Sequence, residues 1–302
     1  MLLILFVPIS MHATSPARTV DIYQTNTSNV TQILYDYPDT ITGNDNLKYG
    51  LVDMGYGVIW ADRNVGASSK DAHGGWFQWG GTDDLTTYVT TNKRGPSSGG
   101  IDETTKGTNY QLRANEDAAT AKMGTEWHIP SQQEWNDLIK YTNTNASERT
   151  FTSKVNNTKV ITLPAGGYYY STGSDKTSYA FYWTSSIKTI TSGNTSTNFI
   201  QMLRNNNEFI VDIKDPTYPV SGRCVMPIRA VYSPTNTHTL TIAMGDYQYK
   251  YICENGQQIT VTIYPDTENG KYFKWWSDNH SLTNATRTFV MTSDIEVRAV
   301  VL

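Results

Sequence analysis

Cysteine is nearly absent, with Cys224 and Cys253 the two in 302 residues. A disulfide-stapled mini-domain is therefore excluded, and a chain of this length needs no such staple to build a core. Charge is also sparse. Asp, Glu, Lys and Arg make up 17% of the residues and the net charge is −4, which leaves no basic surface for nucleic acid or anionic membranes. No run after the amino end approaches the ~20 apolar residues that cross a bilayer, so no membrane span is expected. The run Leu2–Ile9 has the length of a signal-peptide core, with Ala13 as a cleavage position. Residues 1–13 are expected to be a leader. The missing positive n-region points to a start further upstream, and no Cys follows to carry a lipid.

Tyr (20), Trp (8) and Gly (22) are plentiful, as are Asn, Ser and Thr. Aromatics at this density exclude a disordered chain, and the length suggests two domains. Residues 14–46 hold one or two strands and are otherwise unassigned. From 47 to 233 the chain is aromatic- and glycine-rich, with short β-like runs broken by Gly, Asn and Ser. Two helices are predicted within it. The first follows Asn115 as cap and closes at Gly124 as a left-handed residue. The second opens with a capping box, Ser131 to Glu134, and places Trp135, Leu138 and Ile139 on one face. "SPTNT" reads as a linker. Residues 234–302 alternate like half-buried strands ("HTLTIAM", "QQITVTIYP", "YFKWWS", "IEVRAVV") and predict a small all-β domain. Of Trp275 and Trp276, alternation turns one inward and one outward.

Six segments appear in order across the central stretch. They are "LVDMGYGVIWADRNVGASS", "GGWFQWGGTDD", "DAATAKMGTEWHIPSQQEWNDLI", "LPAGGYY", "YWTSS" and "GRCVMPIRAV". In this the stretch resembles the Fibrobacter succinogenes major paralogous domain, a family common in secreted Bacteroidetes proteins. The resemblance implies an α+β fold: a C-type-lectin-like central domain, similar to formylglycine-generating enzymes, with two short helices and small antiparallel sheets. The C-terminal stretch resembles the divergent internalin B-repeat, a small β-grasp-like module.

The residues offer little reaction machinery. The formylglycine-generating chemistry implied by the fold needs a cysteine pair, and the central stretch has Cys224 alone. Cys253 lies past the linker, so two unbridged thiols are expected. Trp135-Asn136-Asp137 matches a lectin calcium triplet, but it falls on a helix, and calcium wants six to eight oxygens converging from loops. His12, His73, His128, His238 and His280 lack metal-ligand spacing, and His128 reads as packed ahead of the second helix. Ser185 and Ser186 lack a nucleophile elbow. "GGWFQWGG" lacks the Lys and Ser/Thr of a phosphate loop. Neither cofactor nor metal is expected.

Binding is expected in the last third of the central domain, from Phe181 onward. Rigid aromatics give contact area at low entropy cost, Asn and Ser adapt their hydrogen bonds, and Arg is a frequent hot-spot type. The candidates are Tyr182, Trp183, Asn198, Arg204, Asn205, Asn206, Asn207, Tyr218 and Arg223. For three groups a structural role competes: burial for Trp183, a motif role for Arg223, and a hairpin turn for Asn205-Asn206-Asn207. The expectation is a secreted or cell-surface, non-enzymatic, adhesin-like protein that holds a glycan or a protein. The alternative is a structural surface or fimbria-associated subunit, and the third reading is an enzyme of the formylglycine-generating superfamily.

Overall fold

The structure, a computed structural model, describes residues 15–26, 28–87, 106, 110–169, 179–192, 195–205, 209–210 and 224–302. The expected leader lies outside them. The described chain is mostly β, with two α-helices and several small sheets. Among these residues no helix is long and apolar enough to cross a membrane. The chain divides into two compact units. One joins the described residues up to Tyr37 with Asn236–Leu302, and the other is Pro38–Thr235.

The amino-terminal residues supply β1 (Arg18–Tyr23) and β2 (Val30–Ile33). The Pro38–Thr235 unit follows with β3 (Thr40–Thr42), β4 (Lys48–Asp53), β5 (Ile59–Ala61) and β6 (Phe77–Gln78). Helix α1 (Ala118–Met123), β7 (Trp127–His128) and helix α2 (Gln132–Tyr141) come next. Strands β8 (Thr142–Asn145), β9 (Thr150–Ser153) and β10 (Val160–Thr162) form one antiparallel sheet. Strands β11 (Ala180–Ser192), β12 (Thr195–Asn205) and β13 (Phe209–Ile210) form another. The unit ends with β14 (Val225–Met226), paired with β6, and β15 (Val231–Tyr232). β15 sits between β5 and β7 in the sheet β3-β4-β5-β15-β7, so the last strand of this unit is inserted among its early ones.

Tryptophans fill this unit. Trp60, Trp79, Trp127, Trp135 and Trp183 are fully buried. Helix α2 turns Trp135 and Leu138 inward, with Ile139 partly buried beside them. The Trp135 ring packs 4.7 Å from that of Trp60. Each such ring removes roughly 150–250 Å² from water, at ~25 cal/mol per Å².

The α2 capping box forms as predicted. The Ser131 hydroxyl accepts from the Glu134 amide, and the Glu134 carboxylate accepts from the Ser131 amide. The predicted cap of α1 is displaced by two residues. Glu116 is drawn into a turn with Arg113, accepting from its amide. Asp117 becomes the cap, accepting from the Thr120 amide. Gly124 has a positive φ of 121° but a ψ of 168°, so it closes the helix outside the left-handed helical region.

The other unit is all-β, built from two sheets around one core. After β1 and β2 its strands are β16 (Thr237–Met244), β17 (Tyr247–Glu254), β18 (Gln258–Tyr264), β19 (Phe273–Trp276), β20 (Thr286–Val290) and β21 (Ile295–Val301). The sheets run β1-β18-β20 and β19-β21-β16-β17-β2. Alternation along β17, β18 and β21 sends Tyr249, Tyr251, Cys253, Ile259, Val261, Ile263, Val297 and Ala299 into the shared core. Trp276 is buried there, while Trp275 stays partly exposed beside His280. Residues 15–37, unassigned in the sequence, thus belong with the C-terminal domain. Both cysteines are buried and no disulfide joins them. Burial pushes the Cys253 thiol up to about 12.

Candidate functional site

Two of the three sequence-selected aromatics, Tyr182 and Trp183, are scaffold. Tyr182 and Trp183, consecutive on β11, are both fully buried, which corrects their assignment as ligand contacts. A strand covered on both faces buries neighbours of either parity. The Tyr182 hydroxyl donates to the Pro164 carbonyl and accepts from the Asn64 amide, and burial pushes it up to about 12. The Trp183 indole N–H donates to the Phe77 carbonyl at 2.8 Å. Asn198, Arg204 and Asn205 occupy β12 opposite Thr189, Phe181 and Ala180. Asn205 is also paired with Phe209 on β13. Asn206, Asn207, Tyr218 and Arg223 lie outside the described residues. The Trp-Asn-Asp triplet lies on α2 with Trp135 buried, and Asp137 accepts from Gln133 one turn earlier.

What the fold does assemble is a cleft of about 590 Å³ at the start of α2, lined by Tyr110, Gln111, Leu112, Asp117, His128, Ile129, Ser131, Glu134, Ser185 and Ser186. A register break in β11 between Trp183 and Ile187 delivers the two serines. The Ser185 amide donates to the Pro130 carbonyl, and the Ser186 hydroxyl accepts from the Gln132 amide. Ser185 and Ser186 belong to the last third of the domain, where binding was expected. Tyr110 enters from the other side. Its hydroxyl donates to Glu116, and Lys106 lies 4.6 Å above its ring.

At the centre, His128 Nε2 meets Glu134 Oε1 at 2.9 Å. Six residues separate them in the chain, and the tight passage from β7 through Pro130 to the α2 cap brings them together. Burial opposes the charge on His128. The hydrogen bond and charge of Glu134, with Asp117 behind, outweigh it and hold the imidazole above its ordinary value. Glu134 is held below its ordinary value, because His128 and Ser131 outweigh burial. Asp117 is raised by burial. Both carboxylates are occupied by scaffold. Asp117 accepts from the Thr120 and Ile129 amides, and Glu134 accepts from both the amide and the hydroxyl of Ser131. Of the polar lining residues, Gln111 is exposed, Ser185 is half-buried and the His128 side chain is 34% exposed.

These shifts set a pH dependence. A histidine raised on folding adds stability at pH values below its unfolded value, and this is lost as pH rises through the folded one. The stability difference between wild type and His128→Gln should therefore shrink as pH rises from about 6 to about 8. Chemical denaturation at a series of pH values measures it. A difference that stays constant over that range would show that the pair is not charged.

A second cleft, of about 460 Å³, lies between Gly66, His73, Trp76, Gly166 and Tyr169. Trp76 packs edge-on to Tyr169 at 4.7 Å and is only 6% exposed, so it offers a ligand little ring face. Among the described residues no cluster of His, Cys, Asp and Glu is placed to hold a metal ion.

Sequence reasoning recognised the Ser131–Glu134 box but not that its glutamate would clasp His128. It read Asp117 as a first-turn acid of the first helix and not as part of a site, and it did not single out Tyr110 or Gln111. No family model, no curated protein and no solved structure matches the chain.

Proposed function

We propose that the chain is a secreted or cell-surface, non-enzymatic binding protein, adhesin-like in role. Its Pro38–Thr235 unit is a C-type-lectin-like domain of the major paralogous type, and it holds a glycan or a protein at the cleft beside α2. One observation carries this reading. The cleft gathers hydroxyl, amide and imidazole groups, while its two carboxylates are spent on backbone amides and on His128. Both carboxylates hold the walls in place, so the cleft keeps one shape. Rigid walls with a few adaptable polar groups suit recognition. The all-β unit, read as a B-repeat-like module, acts as the stalk.

The test is an array of glycans and host proteins probed with the purified chain. Binding to one class, abolished in Ser185→Tyr without a change in melting temperature, is the expected result. Binding that survives Ser185→Tyr but is lost in Arg204→Ala moves the ligand to β12. Turnover of a panel of esters or glycosides, lost in His128→Gln, would end the non-enzymatic reading.

The structural-subunit reading has an observation of its own. The amino-terminal strands β1 and β2 are edge strands of the C-terminal domain's two sheets.

A further inference from the structure

Residues 15–37 and Asn236–Leu302 are joined by contacts, and covalently only through the whole Pro38–Thr235 unit. β1 runs parallel to β18 over six residues, Arg18 opposite Ile259 through Tyr23 opposite Tyr264. β2 runs parallel to β17 over four, Val30 opposite Tyr249 through Ile33 opposite Ile252. β17 and β18 are consecutive strands that lie in different sheets, so the amino-terminal segment completes one edge of each. Val20 and Ile22 enter the core beside Val261, and Val30 and Leu34 pack against it.

The turn between β17 and β18 carries a polar reader for this segment. Gln257 is fully buried. Its amide nitrogen donates to the carbonyls of Pro16 and Leu34, both at 2.9 Å. Its amide oxygen accepts from the Glu254 amide. Pro16 lies just before β1 and Leu34 just after β2, so one side chain grips both ends of the segment. Further bonds fix the register. The Leu34 amide donates to the Ile252 carbonyl and the Gln24 amide to the Tyr264 carbonyl. The Gln248 amide donates to Asn29 and the Ser15 amide to Glu254. This is strand addition at sheet edges, in which main-chain bonds give affinity and alternate side-chain pockets give specificity.

We propose that Ser15–Tyr37 is a strand donor, that Asn236–Leu302 is its receptor, and that a second copy of this chain can supply the donor. Each contact named above can be made by another copy's segment, and only the backbone at Tyr37–Pro38 must take a different course. Exchange of an identical element is a low-cost route to association for this reason. Pro38 restricts Tyr37 to extended backbone, which suits a segment leading away. The inference does not rest on the ligand cleft or on the lectin-like reading.

Two full-length variants test it. Ile22→Asp spoils the donor and leaves the receptor intact, and Val261→Asp does the reverse. Alone, each should lose protease resistance in residues 236–302 at least about tenfold. Co-expressed, they should form a 1:1 heterodimer, with the intact donor of one seated on the intact receptor of the other and resistance regained. A synthetic peptide of residues 15–37 added to Ile22→Asp shows whether that receptor still folds. Rescue by peptide without heterodimer formation overturns exchange between copies. Rescue by neither overturns the donor–receptor assignment itself.

Discussion

Replacing Arg229 with leucine should cost the Pro38–Thr235 unit about 3–5 kcal/mol. Arg229 is fully buried. Its guanidinium donates to Asn64 Oδ1 at 2.9 Å, to the Ala61 carbonyl at 3.1 Å and to the Thr162 carbonyl at 2.7 Å. Asn64 in turn donates to the His73 carbonyl and to the Tyr182 hydroxyl, which donates to the Pro164 carbonyl. One cation thus ties β5, the following loop, β10 and β11 together. Burial lowers the pKa of Arg229, but a guanidinium stays charged in proteins, so its donors cannot be withdrawn without orphaning the acceptors. Lysine should recover only part of the loss, because a point charge cannot span acceptors laid out for a planar fork. Urea unfolding followed by tryptophan emission measures both variants. A leucine variant within about 1 kcal/mol of wild type would show that the network contributes little net stability.

Truncating Trp183 to alanine should destabilise the same unit by about 3–5 kcal/mol. The indole is fully buried, and removing it opens a cavity and leaves the Phe77 carbonyl without its donor. Phenylalanine should lie between alanine and wild type, since it fills much of the volume but restores no donor. The change should appear in the denaturation midpoint. An alanine variant that melts like wild type yet no longer binds ligand would return Trp183 to the binding surface.

The features legible in the sequence are those set by neighbours in the chain. The Ser131–Glu134 box spans three residues and its signal is local. The alternation that buries Trp276 and leaves Trp275 partly exposed is a property of a single strand. The α1 cap failed by two residues because Glu116 had a competing local partner in Arg113. Residues 15–37 were opaque for a different reason. β1 and β2 find their partners more than two hundred positions away, in parallel registers that no turn signal announces.

The cleft was half legible. Capping chemistry located its floor, but the register break that brings Ser185 and Ser186 to α2 depends on pairing within β11 and β12. Tyr182 and Trp183 were chosen as rigid aromatics suited to recognition, the same property that suits them to a packed interior. Arg229 carried a signal that went unused. It sits in "VMPIRAVY", where an isolated cation among apolar residues must be buried with its donors satisfied.

The split composition of the all-β unit has a consequence for biogenesis. During synthesis β1 and β2 must wait for their partners, which do not exist until residues beyond 236 have been polymerised. The Pro38–Thr235 unit can close meanwhile, since β15, its last strand, pairs with β5 and β7 of the same unit. Until then the segment, with Val20 and Ile22 uncovered, is a sticky extended peptide open to holdase chaperones and proteases. Its survival depends on how soon the carboxyl end arrives.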